Sequence, residues 1–336
     1  MGQNTRNTRI ENQMQYLVRC KDRLVIDADV HATDIEAMRP EFKNRLASTP
    51  GYYHGRPVSA EDLIREMDTA GVDMALVWQN PSATAYGTDP QKNFDALLAA
   101  NQYIHEISIR FPERFIPAGW TDPKALGIEG AVRLADICIE EYGFAVVKMN
   151  PAQNGFPIDG ERVIPVFERI VRHGAIPAFH FGADTEFTPA AGLASLAERH
   201  PDHPLVAVHM GGGGASYGGA EALYRESREL GLDHPNIRFV LSTKRDAHIE
   251  SDLIAYQSAG EPFCRNLCCG SDAPYGRMAW NFGGFRWMFK GFVDGKNHHD
   301  ERVRKNPRLF DGESVRNYMG RNFAELVIEG YRRLLR

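Results

Sequence analysis

Residues 24–31 read LVIDADVH, an apolar run that stops abruptly in acid and imidazole. Side chains two apart in an extended strand share a face, so Asp27, Asp29 and His31 are expected to point the same way. Three ionisable groups withdrawn from water on one face need a binding partner, and a divalent metal is the simplest one. The competing expectation is a frayed strand end with all three groups hydrated. Other apolar runs end alike, in Lys148-Met149-Asn150, His180, His209 and Ser271-Asp272. Two carboxylates with two or three imidazoles suit Zn, Mn or Fe in the divalent state better than Mg or Ca, which prefer oxygen alone.

These ends must be brought together by the elements that carry them. Short β-rich runs recur at 24–28, 73–78, 115–120, 145–149, 176–181, 205–209, 237–242 and 266–270. Segments of helical period follow most of them, at 60–70, 90–110, 129–142, 164–173, 189–200, 216–230 and 246–258. Strand then helix, about eight times over, predicts an α/β protein built as a closed parallel (β/α)8 TIM barrel. Asp89-Pro90 and Ser59-x-x-Asp62 mark helix starts, and Gly71, Gly143 and Gly174 mark stops. In such a barrel these polar residues all lie at the C-terminal strand ends and meet over one mouth. Two insertions leave that face, 32–58 and 278–307, and are expected to pack over the mouth as lids or substrate walls. Residues 1–20 are expected to be an N-terminal arm or disordered leader, residues 21–336 one barrel domain, and about 314–335 a closing helix.

The chain has 336 residues, enough for one barrel with insertions, and a net charge of -5 that gives no broad basic field. Nucleic acid is therefore not an expected partner, and a small molecule is. No apolar run approaches the roughly 20 residues of a membrane span, and the polar opening lacks a signal-peptide core, so no membrane association and a cytoplasmic location are expected. The five cysteines lack zinc-ribbon spacing and are expected as buried free thiols. The Gly211–Gly214 run fits no phosphate-loop pattern, and HExxH does not occur. Those glycines are expected to let the backbone pass close to a ligand.

VIDADVH, EDLIREMDTAGVD, ERFIPAGW, GFAVVKMNP, IPAFHFG, VAVHMGGG, NLCCGSDAPYG and NYMGRNFAELV together resemble the amidohydrolase superfamily, over about residues 22–330. The branch is the one that includes aminocarboxymuconate semialdehyde decarboxylase and the resorcylate and carboxyvanillate decarboxylases. The resemblance implies a distorted (β/α)8 barrel with one catalytic divalent ion, Mn2+ or Zn2+. It maps the metal ligands to His31, His180 and Asp272, and gives His209 acid/base or substrate-polarising work. Where the family commonly carries His-x-His, this chain has Asp29-x-His31, so Asp29 is the fourth expected ligand. A carboxylate in that place hardens the site and favours Mn over Zn. Lys148 stands where binuclear relatives carry a carboxylated lysine, though the same lysine is ordinary in mononuclear ones, and a single ion is expected.

Such a site supports two reactions, decarboxylation by carbon protonation or hydrolysis by an activated water, and both need an acid/base at the metal's edge. Asp272 and His209 are the expected catalytic pair. Arg56, Lys244, Arg245 and Arg277 are candidate cations for a substrate carboxylate, with Arg56 and Arg277 preferred. Trp78, Trp120, Phe181 and Tyr275 are expected to line the pocket, and such rings suit a flat conjugated acid. The expectation is a decarboxylase (a C–C lyase) of a small aromatic or conjugated carboxylic acid, with a hydrolase of a lactone or amide as the alternative. A non-catalytic metal-binding protein is the third reading, and a homo-oligomer, dimer or tetramer, is the expected assembly.

Overall fold

The structure is a computed structural model that describes residues 3–38, 40–48, 55–182, 186–213, 221–244, 246–295 and 298–336. Eight strands form among these, one for each apolar run: β1 (Ile26–Ala32), β2 (Met74–Gln79), β3 (Phe115–Pro117 and Gly119–Trp120), β4 (Val146–Met149), β5 (Ile176–His180), β6 (Leu205–Val208), β7 (Ile237–Leu241) and β8 (Leu267–Cys269). Their residues are mostly apolar and nearly all are buried, as parallel strands covered on both faces require. Every neighbouring pair is parallel, in the order of the sequence.

Backbone bonds sew both seams of this sheet. Around the interruption at Ala118, the Ala118 N–H donates to Val77 O at 3.0 Å and the Thr121 N–H to Lys148 O at 3.0 Å. Between β8 and β1, the Asp272 N–H donates to Asp29 O at 2.9 Å and the His31 N–H to Ala273 O at 2.7 Å. The result is the distorted barrel. Its helices are α1 (Gln3–Cys20), α2 (Pro40–Ser48), α3 (Ala60–Ala70), α4 (Pro90–Arg110), α5 (Gly127–Asp136), α6 (Pro151–Asn154), α7 (Val163–Arg172), α8 (Ala190–Arg199), α9 (Glu221–Asp233), α10 (Asp246–Ala259), α11 (Met278–Asp294), α12 (Glu301–Lys305), α13 (Gly312–Arg316) and α14 (Asn322–Leu334). The start signals act as expected. Ser59 and Asp62 close a capping box on α3, and Asp89 accepts from the Gln91 and Lys92 N–H groups ahead of α4.

Three expectations change. Residues 3–20 are no disordered leader: α1 buries Ile10, Leu17 and Cys20, and the Gln13 side chain donates to Phe115 O at 2.8 Å below the barrel. The segment after β8 is no substrate wall. Its helix α11 packs on α3, where Arg286 donates to Ala70 O at 2.7 Å and the Met278 N–H to Glu66 at 2.9 Å, and no described residue of 278–307 lines the cavity described below. The apolar stripe of α11 therefore serves packing rather than substrate. Within 32–58, residues 39 and 49–54 lie outside the described residues, and no described residue of that insertion lines the cavity beyond His31's own strand. All five cysteines are free thiols, and four are buried.

Candidate metal centre

Asp29, His31 and Asp272 converge at the β1/β8 seam, with one potential ligand atom each inside a 4.8 Å group and all three buried. The backbone puts them there. A register shift between Asp27 and Val30 breaks the strict alternation of β1, so Asp27 leaves this group. It accepts instead from the Ser271 N–H at 2.9 Å and from Ser271 Oγ at 2.5 Å, and thereby ties β8 to β1. Burial pushes the Asp27 carboxyl well above its ordinary range, against those hydrogen bonds. The four non-glycine residues of positive φ among the described residues are His209 (+81°), Met210 (+46°), Thr243 (+46°) and Asp272 (+58°), and all follow the strand ends at this mouth. Such backbone costs about 1–3 kcal/mol per residue and persists where surroundings impose it, typically at functional sites.

Hydrogen bonds fix which atoms face the centre. His31 Nδ1 lies 2.7 Å from the Gln79 carbonyl oxygen, which only accepts, so Nδ1 carries the proton and Nε2 the lone pair. That lone pair faces Asp272 Oδ1 at 3.2 Å and Asp29 Oδ1 at 3.7 Å. Three electron-rich atoms so placed repel one another unless a cation or proton lies between them, so the donor set fits a divalent metal. Asp29 is held on every side: the Trp78 indole donates to Oδ1 at 3.0 Å, Ser242 Oγ donates to Oδ2 at 2.7 Å, and Lys148 Nζ stands 3.7 Å from Oδ1. Burial raises the Asp29 carboxyl, but Lys148, His209 and His31 outweigh it and hold it below its ordinary value. Lys148 also rests on the Trp78 ring, 3.9 Å from its centroid.

His209 completes the wall. Because Ser242 spends its proton on Asp29, its oxygen accepts from His209 Nδ1 at 2.8 Å, with Thr243 Oγ1 at 2.7 Å from the same nitrogen. The His209 Nε2 is then an acceptor. Burial pushes this imidazole down to about 4, against the pull of Asp272 and Asp29, so it is neutral at pH 7. The His180 ring stands 4.8 Å from it, centroid to centroid. His31, Lys148, Asn150, Gln153, His180, His209, Thr243, Asp272 and Tyr275 all line one cavity of about 640 Å³.

The amidohydrolase family profile matches residues 26–289 of this chain, which hold every one of these side chains. The chain belongs to the amidohydrolase family. A curated relative, the 2-amino-3-carboxymuconate-6-semialdehyde decarboxylase of Dictyostelium discoideum, is 26% identical over 117 residues, 35% of this chain and 32% of that protein. The match thus spans about a third of that relative's length. The manganese complex of 5-carboxyvanillate decarboxylase from Novosphingobium aromaticivorans superposes with a TM-score of 0.62 at 15% identity, over 91% of this chain and 96% of that one. A 2,6-dihydroxybenzoate decarboxylase bound to 2,6-dihydroxybenzoate gives 0.60 at 15% identity, over 90% and 99%. At these identities the likeness to the two structures is one of fold.

This amidohydrolase gathers Asp29, His31, His180, His209, Asp272 and Tyr275 at its mouth, but not the other expected pocket residues. Trp78 and Trp120 are fully buried beneath Lys148, where they carry the charged pair rather than line the cavity. Phe181 packs on Phe239, since it lies one residue past His180 and so faces the opposite side of β5. Arg277 turns out toward Glu66 at 3.6 Å, and Arg56 is half-buried outside the cavity lining. Lys244 is consumed by Asp252 at 2.5 Å and by Met210 O, and Arg245 lies outside the described residues.

Sequence reasoning passed over Gln79, Ser242 and Thr243. Ser242 and Thr243 had a signal, for they close the seventh apolar run as His209 closes the sixth. Gln79 acts through its backbone oxygen, which no side-chain pattern announces. Of the glycines after His209, Gly213 lines the cavity, a Cβ on Gly212 would sit 2.6 Å from Thr243 O, so that loop is pressed against the end of β7, and Gly214 lies outside the described residues. Two other His/carboxylate groups are taken up by contacts within the chain. The Asp300 N–H donates to His298 Nδ1, so His298 Nε2 bears the proton it shares with Glu250 at 2.7 Å, and Asp136 is taken by Arg169 at 2.7 Å and His173 at 2.8 Å.

Proposed function

We propose that this amidohydrolase is a metal-dependent, non-oxidative decarboxylase of a small aromatic or conjugated carboxylic acid. The observation that carries the reading is the floor of the cavity. A buried lysine stands beside a cluster of two carboxylates and a lone-pair imidazole, and a neutral acceptor, His209, adjoins the same cluster, its Nδ1 3.7 Å from Asp29. The decarboxylases named above support the substrate class.

Asp29, His31, His180 and Asp272 would hold one divalent ion, Mn2+ or Zn2+. When bound, the ion supplies Lewis-acid neutralisation of the substrate carboxylate and of charge that develops beside it. Burial pulls the Lys148 ammonium below its ordinary range, against Asp29 and Asp272, which favour the charged form, and as the ammonium it would add a second positive charge at the floor. His209 Nε2 accepts a hydrogen bond from a ring or enol hydroxyl and so orients the acid. The Asp272 carboxylate would take the proton of the substrate's carboxyl group and pass it to the ring carbon, and the C–C bonding pair returns to the conjugated system as carbon dioxide leaves. Tyr275, held by Asn80 at 2.7 Å and by Ser82, gives a fixed wall edge-on to His31, and burial pushes its hydroxyl up to about 12, so it stays protonated.

Turnover of hydroxylated benzoates, carboxyvanillate and muconate-type acids by the Mn-loaded protein, followed as carbon dioxide release, tests the reading. Carbon dioxide with these acids is expected. Acid production from lactones without any carbon dioxide from the acids would replace it with the hydrolase reading. Asp29→His is expected to move the metal preference from Mn toward Zn, measured by metal analysis after loading from an equal mixture, because it exchanges a hard oxygen for an imidazole. Unchanged preference would leave Asp29 as the partner of Lys148 alone.

A further inference from the structure

We propose that the outer face of α11 is a homodimer interface, in which this helix and the same helix of a second copy pack antiparallel about a two-fold axis. The inference does not depend on the chemistry assigned to the cavity. Helix α11 is apolar on both sides. Its inner side buries Phe282, Phe285, Met288 and Phe289, yet its outer side carries Trp280 and Trp287 at 76% and 78% exposure, far above any other exposed large apolar residue among the described ones. Asn281, Arg286 and Lys290 lie between these two sides, and a helix with a second apolar stripe is one that is covered on that side too.

Spacing and composition say what covers it. Trp280, Gly284, Trp287 and Gly291 follow one another at intervals of four, three and four residues, which puts them in one straight stripe, the seam spacing of paired helices. A Cβ added to Gly284 or Gly291 would meet nothing within 4 Å. Each glycine weakens a helix relative to alanine, and no described contact within the chain requires them. A second backbone or a large side chain pressed against them does. In an antiparallel pair centred between Phe285 and Arg286, Trp280 falls on the partner's Gly291 and Gly284 on the partner's Trp287, and symmetry repeats both contacts. Every layer of the stripe then sets a tryptophan against a glycine.

The same register brings Asp294, at one end of α11, to Arg277 at the other end of the partner helix. Both are at least part-exposed, and the Arg277 ion pair within its own chain is long, 3.6 Å to Glu66. Charge and shape are thus complementary in one arrangement, which is the self-complementarity that a two-fold interface demands. Four tryptophans so covered would bury on the order of 700 Å², about half of what a standard interface buries in total. A lipid surface would satisfy the tryptophans but gives no reason for the glycines between them.

Sedimentation velocity on the full chain at micromolar concentration is expected to show a dimer. Trp280→Ser with Trp287→Ser should raise the dissociation constant at least about 100-fold, as loss of central tryptophan anchors does, with an unchanged circular dichroism spectrum. Gly284→Leu, which favours the helix in the monomer, should also dissociate it. Asp294→Arg and Arg277→Asp should each weaken the dimer, and their combination should restore it. A wild-type monomer, a dimer indifferent to these substitutions, or a monomer that binds anionic phospholipid vesicles through Trp280 and Trp287 would each overturn the proposal.

Discussion

Asp272→Asn is expected to reduce turnover by about 1,000-fold or more and to lower the metal content of the purified protein. Removal of a group that moves a proton in the reaction costs on the order of 100- to 10,000-fold, and here the same side chain is also proposed as a ligand. Asp272 Oδ1 stands 3.2 Å from the His31 lone pair, and its backbone, at a φ of +58°, is fixed by the bond to Asp29 O and by the Tyr275 and Gly276 N–H groups that donate to its carbonyl oxygen. Asparagine keeps the shape and tolerates positive φ better than most residues, so the fold should survive, with a melting temperature close to wild type. It lacks the negative charge that holds a divalent ion and the acidity that delivers a proton. Metal analysis alongside single-turnover carbon dioxide release separates the two losses. Full metal with lost turnover would keep Asp272 as the acid and remove it as a ligand, and full activity would remove it from the site.

His209→Ala is expected to keep the metal and lose roughly 100-fold or more in rate. Its Nδ1 is committed to Ser242 and Thr243, and burial holds the ring neutral, so Nε2 faces the cavity as an acceptor rather than as an acid. The loss should appear mainly in kcat for substrates with a hydroxyl beside the carboxylate, and should shrink for analogues without one, because only the former have a proton to offer Nε2. Ser242→Ala should give a smaller loss of the same kind, since it frees both the tautomer of His209 and one oxygen of Asp29. Loss of the metal together with activity would instead make His209 a ligand and reopen the binuclear reading in which Lys148 bridges a second ion. Unchanged activity would defeat the mechanism.

The residues of the centre were legible because a parallel barrel puts every strand end on one face. Asp29, His31, His180, His209 and Asp272 could be picked out as polar terminations of apolar runs, without knowing which strand neighbours which. The aromatic and cationic wall was not legible in the same way. Trp78, Trp120 and Phe181 also stand near strand ends, but whether such a ring lines the mouth or supports it depends on which way one residue faces. For Phe181 a single step past His180 reversed the side. Arg277 and Lys244 were drawn away by Glu66 and Asp252, carboxylates on helices α3 and α10 that no local pattern pairs with them.

What the sequence determined by itself is what depends on neighbours in the chain: the eight apolar runs, the helices between them, their caps, and the polar residues that close the strands. Local backbone preferences and periodicity carry that information at short range. Tertiary structure alone decided what depends on close approach. The register shift in β1 took Asp27 from the metal group and gave it to Ser271, a carbonyl oxygen of β2 fixed the tautomer of His31, and a serine at the end of β7 joined His209 to Asp29. Each of these rests on a hydrogen bond of about 3 Å between residues separated by 33 to 244 positions, and a bond of that reach exists only once the barrel has closed.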